Sequence, residues 1–196
     1  MKQLMLRVEE IQMDKLSQDD ECKVLKNIPE PCMNLVTTII KNARSKMEDG
    51  IALPASVFIG RLDSKIAHCL YMNTENQEEK FYSSLAIKAF AESHNADFIF
   101  WLAEAWNNVE DNESMSGKES SKTGGSGALA NPEDLVVMMF ESMHGTVGAF
   151  LPIEPKGDSA KCRTFGIPEF EPVESGGNLA NILSGKDAKK TSSVLH

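Results

Sequence analysis

The chain has 196 residues and a mass of 21.6 kDa, enough for one domain with a substantial core and short for two independent domains. Its hydrophobic fraction of 41% and charged fraction of 25% exclude wholesale disorder. The formal net charge of -9 makes the average surface repel phosphate backbones and anionic headgroups, so we expect neither nucleic acid nor a membrane as partner.

The N-terminal residues do not have the pattern of a secretory signal, because Arg7, Glu9 and Glu10 interrupt any apolar stretch. No segment has the apolar length of a membrane span. The cysteines lack the Cys-x-x-Cys and histidine spacings of a zinc site, so we expect free thiols and neither a metal nor a cofactor. These features favour a cytoplasmic protein. The cysteines are Cys22, Cys32, Cys69 and Cys162.

Residues 1–31 are predicted to be a helical or loop appendage to a single domain of residues 32–175. The first strong helical pattern runs from Cys32 to a left-handed cap at Gly50, with apolar residues mostly three and four positions apart. This helix is apolar enough to need a partner surface, either within the chain or on a second copy. Its candidate interface consists of Met33, Val36, Ile39, Ile40 and Met47.

Two apolar runs at residues 57–62 and 66–72 have the spacing of a β-hairpin. A second helix is predicted to follow, because Thr74 and Gln77 have capping-box spacing and Asn95 suits a helix end. We expect an apolar stripe at four-residue spacing, with a second set of apolar residues beside it. The stripe is Phe81, Leu85 and Ala89, and the residues beside it are Tyr82, Ala86 and Phe90.

Residues 97–106 are apolar at alternate positions on both faces, which predicts a central strand. The polar residues 107–132 predict a flexible insertion, and two further strands are predicted on either side of a turn at His144 and Gly145. Pro168 and Pro172 restrict any later strand to an edge or a bulge. Residues 176–196 are predicted to be a short helix and a mobile tail.

This order of elements predicts an α+β fold: a five-stranded, largely antiparallel sheet with helices mainly on one face. The same order occurs in profilin-like and roadblock-like sheets, a topological likeness without a shared motif.

The stretch "FIFWLAEAW", a polar linker and "PEDLVVMMFESMHGTVGAFLPI" together resemble a pattern in small uncharacterised bacterial proteins. The pattern is a strand ending in Glu-Ala-Trp, then a strand ending in Glu-Ser, then one closing on Pro-Ile. The resemblance covers about a third of the chain and implies a shared fold, but no activity. The matching residues are Glu104, Ala105, Trp106, Glu141, Ser142, Pro152 and Ile153.

Glu104 is the most unusual polar residue, because period-two alternation places it on the same face as aromatic neighbours. An unpaired carboxylate there is costly, so we expect Glu104 to reach water or to pair with Arg61, Lys65 or Arg163. A general acid or base with a raised pKa, and a register shift or bulge, are the alternative interpretations.

Glu141 and His68 are two further candidates for a polar pocket. If the two long strands pair antiparallel across the insertion, Glu104 and Glu141 fall toward opposite ends of the ladder. The simplest register then puts Glu141 near Phe98 and Glu104 near Val136. A lone histidine such as His68 is more often a satisfied structural residue than a base or ligand.

The leading hypothesis is a non-catalytic interaction or assembly module whose partner is another protein or a second copy. The alternative is a small-ligand sensor or enzyme with a pocket between the sheet and the 107–132 loop. In that alternative Glu104, Glu141 and His68 form the polar wall and the ligand is unidentified. Convergence of the three within about 5 Å would favour the alternative, and their dispersal would favour the module.

Overall fold

The computed structural model describes residues 8–13, 25–72, 76–106, 134–159, 161–173 and 182–183. These residues form two helices and eight strands. In chain order they are β1 (Val8–Gln12), α1 (Glu30–Glu48), β2 (Ser56–Arg61), β3 (Ile66–Tyr71), α2 (Gln77–Ser93), β4 (Phe98–Trp106), β5 (Asp134–Ser142), β6 (Gly145–Pro155), β7 (Arg163–Phe165) and β8 (Glu171–Pro172).

The strands form an antiparallel sheet in the order β1-β3-β2-β4-β5-β6-β7, with β8 beside β6. The α+β class and the antiparallel pairing therefore agree with the prediction. The count of five is wrong, because it included β2 to β6 and missed three strands in the described residues. A profilin-like or roadblock-like arrangement is not confirmed.

The missed strands have weak sequence signals for physical reasons. β1 lies at the edge of the sheet and alternates between exposed and half-buried residues, so it has no apolar run. β7 has three residues and β8 has two. Strands this short are set by their pairing with β6 rather than by their own composition.

The two helices pack on opposite faces of the sheet, so the prediction that they lie mainly on one face is wrong. On β4, Phe98 and Phe100 share a core with α1, whereas Ile99 shares a core with Ile87 and Ala91 of α2. Successive side chains of a strand point to opposite faces. Each helix therefore covers one face, and β4 is central, as its two apolar faces predicted.

α1 agrees with the predicted helix. Glu30 in its first turn and Lys46 in its last turn complement the helix dipole. Gly50 adopts the expected left-handed conformation at φ 77°, and its N–H donates to the carbonyl of Met47 at 3.0 Å.

α2 agrees with the predicted helix, and Phe90 of the predicted apolar set packs against the core, but the predicted stripe itself is exposed. Phe81 and Leu85 are 47% and 48% exposed, and Ala89 is also exposed. The face toward the sheet consists of small or β-branched residues, which let the helix approach closely. They are Ser83, Ser84, Ile87 and Ala91. The helix is capped by Asn76, whose side chain accepts from the N–H of Glu79 at 2.9 Å; Thr74 lies outside the described residues.

The N-terminal part of the chain is integrated into the fold where it is described. Val8–Gln12, expected to be helical or loop, is a strand, and Met13, Leu25 and Ile28 are buried in the same core as α1. The predicted insertion at 107–132 lies outside the described residues, and so does most of the predicted short helix and tail at 176–196. Across the described part of the chain, neither helix has the length and hydropathy that a membrane span requires.

Candidate functional site

Glu104 is held by structural partners on the α1 face of the sheet. Its carboxylate accepts two hydrogen bonds from Arg163, Nη1 to Oε2 at 2.8 Å and Nη2 to Oε1 at 3.2 Å. It also accepts from the backbone N–H of Leu53 at 2.7 Å. Of the three partners named from the sequence, Arg163 is the one that pairs with Glu104, and it compensates a carboxylate whose side chain is only 14% exposed.

Glu141 is buried on the opposite face, with 2% of its surface exposed. Its Oε1 accepts from the backbone N–H of Leu183 at 2.7 Å, which attaches residues 182–183 to the sheet. In the β4–β5 ladder Glu104 pairs with Val136 as predicted, and Glu141 pairs with Ile99, next to the predicted Phe98. The two carboxylates lie at opposite ends of the ladder, as expected.

His68 lies in an aromatic cluster between β3 and the end of α2. Its ring centroid is 5.4 Å from that of Phe90 and 5.1 Å from that of His94. Burial and, after it, the neighbouring His94 lower the pKa of His68 from its usual value of 6.5, while Glu10 on β1 acts in the opposite direction.

The three candidates for a polar pocket do not converge. Glu104 lies on the α1 face, whereas Glu141 and His68 lie on the α2 face at the two ends of a row that also contains Ile59 and Ile99. Three strand spacings separate His68 from Glu141, about 14 Å. The three side chains therefore do not line one shared pocket.

The candidate interface on α1 lies inside the chain. Val36 and Met47 have 0% of their surface exposed, Ile39 and Ile40 are also buried, and Met33 is partly buried against the same core. The apolar surface that α1 needs is the sheet of its own chain. These five residues are therefore covered wholly or partly by their own chain.

Sequence reasoning missed a cavity of about 320 Å³ between α1 and the sheet, which we call the α1 groove. Glu9 of β1, Cys69 and Tyr71 of β3 and Lys46 of α1 are among its lining residues. The Tyr71 hydroxyl donates to Oε2 of Glu9 at 3.3 Å. Burial, then Cys69 and Glu9, raises the pKa of Tyr71 to about 12, so its hydroxyl remains protonated at neutral pH. The sequence "VEEIQ" has no alternation of polar and apolar residues, so it gave no signal that Glu9 lies on a strand; only its burial in the folded chain alternates.

A second cavity of about 550 Å³ lies near the β5–β6 turn, and Ser142 and His144 are among its lining residues. His144 donates its backbone N–H to Oγ of Ser142 at 3.2 Å. The contact joining these two residues is therefore a turn contact rather than a ring-to-hydroxyl bond of the kind that activates a nucleophile.

Two of the cysteines are buried in the core on the α1 face, Cys32 and Cys69. Burial, with a smaller contribution from Asp97, raises the pKa of Cys32 to about 12, which keeps its thiol protonated. Within the described ranges, no group of three or more His, Cys, Asp or Glu side chains is arranged to hold a metal ion.

Comparison of the chain with protein-family models, with curated proteins and with solved structures finds no match. The resemblance to the bacterial strand pattern therefore assigns no family. Any functional inference has to come from the geometry of the chain itself.

Proposed function

We propose that this chain is a non-catalytic assembly module that forms a homodimer through the outer face of α2. The observation that carries the proposal is the exposure of three large apolar side chains on this helix. Phe81 is 47% exposed, Tyr82 49% and Leu85 48%. They lie opposite the face that Ile87 and Ala91 bury against the sheet. Clusters of half-exposed aromatic and aliphatic residues are typical of protein interfaces.

The outer face of α2 includes Glu78, Phe81, Tyr82, Leu85 and Lys88, all exposed, and continues to the exposed Ala89 and Glu92. Four of these positions, 78, 81, 85 and 88, are three, four and three residues apart, which is the spacing of a helix–helix contact stripe. An apolar centre with a charge at each end of the stripe is suited to another helix of the same kind.

A second copy is the occupant that the charges favour. In an antiparallel, two-fold pair of α2 helices, the register that sets Phe81 against Leu85 of the second copy also sets Glu78 against Lys88 of that copy. Two-fold symmetry repeats both contacts. One register thus satisfies the apolar and the charged residues together.

The aromatic pair makes this face well suited to serve as an anchor. The Phe81 and Tyr82 rings meet edge to face with centroids 5.8 Å apart. Aromatic side chains contribute a large contact area with few rotatable bonds, and they are over-represented among the residues that dominate binding energy.

The placement of the polar residues supports a structural rather than a catalytic role. Glu104 and Glu141 both accept hydrogen bonds from backbone amides of other segments, Leu53 and Leu183. Each carboxylate thereby attaches another segment of the chain to the sheet, which is a structural role and involves no catalysis.

Light scattering coupled to size-exclusion chromatography tests the proposal. We expect a dimer for the wild-type chain and a monomer for Leu85→Glu, because two buried carboxylates would face the apolar centre of the interface. Phe150→Glu is the matched control, since Phe150 is 56% exposed but lies on β6. A monomeric wild-type chain, or a Leu85→Glu variant that remains dimeric, would contradict the proposal.

A further inference from the structure

The α1 groove exists because α1 is fastened to one flank of the sheet. Arg44 donates from Nε to the carbonyl of Phe165 at 3.2 Å and from Nη2 to the carbonyl of Gly166 at 3.0 Å. Thr164 donates to Glu48 at 3.0 Å. These bonds hold α1 beside β7, and the cavity lies on the other flank, between α1 and the strands β1, β3, β2 and β4.

The rim of the groove is also fixed by the chain. Leu53 and Pro54 line it, and the N–H of Leu53 is bound by Glu104, which Arg163 holds in turn. The cavity is therefore supported on the helix side and at the loop, as a preformed binding site requires.

Opposite charges line the two walls of the groove. Glu9 contributes a carboxylate from the sheet, and Lys46 contributes an ammonium group from the last turn of α1. Asn42 lies one turn before Lys46 and adds an amide group to the same wall. A carboxylate has acceptor sites for several donors, so Glu9 can bind a ligand cation together with the Tyr71 hydroxyl.

Apolar side chains supply the remaining surface of the groove. The volume of about 320 Å³ lies at the lower end of the range for small-molecule pockets, which suits a small ligand. The apolar lining residues are Ile11, Leu35, Ile39, Leu53, Phe58 and Leu102.

We propose that the α1 groove binds a small zwitterion with an apolar side chain, the chemistry of a free aliphatic amino acid. Glu9 accepts hydrogen bonds from the ligand ammonium group, Lys46 and Asn42 bind its carboxylate, and the apolar residues contact its side chain. This site is separate from the dimer face, since the groove lies on the α1 side of the sheet and the outer face of α2 lies on the other side.

The charge pattern explains why a ligand of a single sign is a poorer fit. An aliphatic carboxylate satisfies Lys46 but meets Glu9, and an aliphatic amine satisfies Glu9 but meets Lys46. A zwitterion satisfies both. Glu9 is half-buried, where a charge-assisted bond contributes about tenfold in affinity, whereas Lys46 and Asn42 are exposed and each contributes about threefold.

Isothermal titration of the full-length chain tests the site with leucine, isoleucine and methionine, and with isovaleric acid and isoamylamine as analogues of one charge. We expect at least one of the amino acids to bind about tenfold or more tightly than either analogue. Failure of all three amino acids to bind at millimolar concentration, or equal binding of an analogue, would overturn the proposal.

Two pairs of variants test whether Glu9 and Lys46 bind the charged groups of the ligand. Glu9→Gln is compared with Glu10→Gln, its neighbour on β1 that pairs with His68 on the opposite face. Lys46→Met is compared with Lys26→Met, an exposed lysine before α1. We expect Glu9→Gln to lose about tenfold in affinity and Lys46→Met about threefold, while each control retains wild-type binding. Wild-type affinity in both groove variants would refute the assignment, and thermal melts verify that all four remain folded.

Discussion

Glu104 on β4 and Arg163 on β7 form a two-bond ion pair, although β5 and β6 lie between their strands in the sheet. Three strand spacings in a flat sheet separate the backbones by about 14 Å, and Arg163 pairs with Pro155, four residues along β6 from Leu151 in the row of Glu104. Together these two offsets exceed the reach of an extended glutamate and an extended arginine, so the sheet curls around α1, and the ion pair closes that curl. The N–H of Leu53 joins the same carboxylate, so one side chain links two strands and the α1–β2 connection.

Replacement of Glu104 by Gln is expected to lower the free energy of unfolding by about 1–3 kcal/mol, because a partly buried arginine loses its charged partner. The variant should still fold and dimerise, since the α2 face is unaffected. Urea denaturation measures the change. Glu154→Gln on the exposed part of β6 serves as the control, and an equal stability loss in both variants would contradict the structural role of Glu104.

Gly60 is expected to tolerate no side chain. A Cβ added there would lie 2.5 Å from Cζ of Phe98 and 2.7 Å from the carbonyl oxygen of Ile66, and neither can move without disturbing the sheet. We expect Gly60→Ala to lower the free energy of unfolding by at least about 2 kcal/mol.

Gly166→Ala provides the comparison, because its Cβ would meet no atom closer than 4.0 Å. We expect a change within about 0.5 kcal/mol in the same denaturation experiment. Equal effects at the two glycines would show that the close approach of Phe98 to Gly60 does not exist in solution.

The His68 cluster predicts a stability that falls with acidification. Burial and His94 lower the pKa of His68, so the unfolded chain binds a proton at higher pH than the folded chain does. The contribution is fully present above the unfolded value of 6.5 and is lost as pH falls through the lower folded pKa.

Unfolding free energies measured between neutral and mildly acidic pH check this prediction. His68→Gln should make the dependence on pH shallower than that of the wild-type chain. A slope unaffected by the loss of His68 would assign the pH dependence to other groups.

Charge reversal tests the proposed register of the dimer. Glu78→Lys should weaken the dimer several-fold, because each of the two symmetric contacts then sets lysine against lysine. Adding Lys88→Glu in the same chain should restore the affinity, and added salt should reduce both effects. Dissociation constants from sedimentation equilibrium supply the measurement; a double variant as weak as the single one would exclude this register.

Sequence periodicity predicted the elements whose patterns are set locally. The β2–β3 hairpin, α1 and the antiparallel pairing of β4 with β5 all followed from apolar spacing, and the list of partners for Glu104 included Arg163. In each case the buried residues are large and regularly spaced, so tertiary packing and local pattern agree.

The predictions failed where tertiary packing differs from what the hydrophobicity pattern of the sequence indicates. α2 buries Ser83, Ser84 and Ala91, small residues that permit close approach to the sheet, while Phe81 and Leu85 remain outside. A hydrophobicity pattern ranks these residues in the opposite order. The α1 groove was missed because it joins strand β1 to a distant helix, and the polar residues of β1 gave no sign of that contact.

Native mass spectrometry of the gently purified wild-type chain is the most direct test of the central claim, because it reads assembly state and retained small molecules in one spectrum. The account predicts a species of twice 21.6 kDa that dissociates on dilution. A species of 21.6 kDa alone at every concentration would contradict the assembly of this chain through α2.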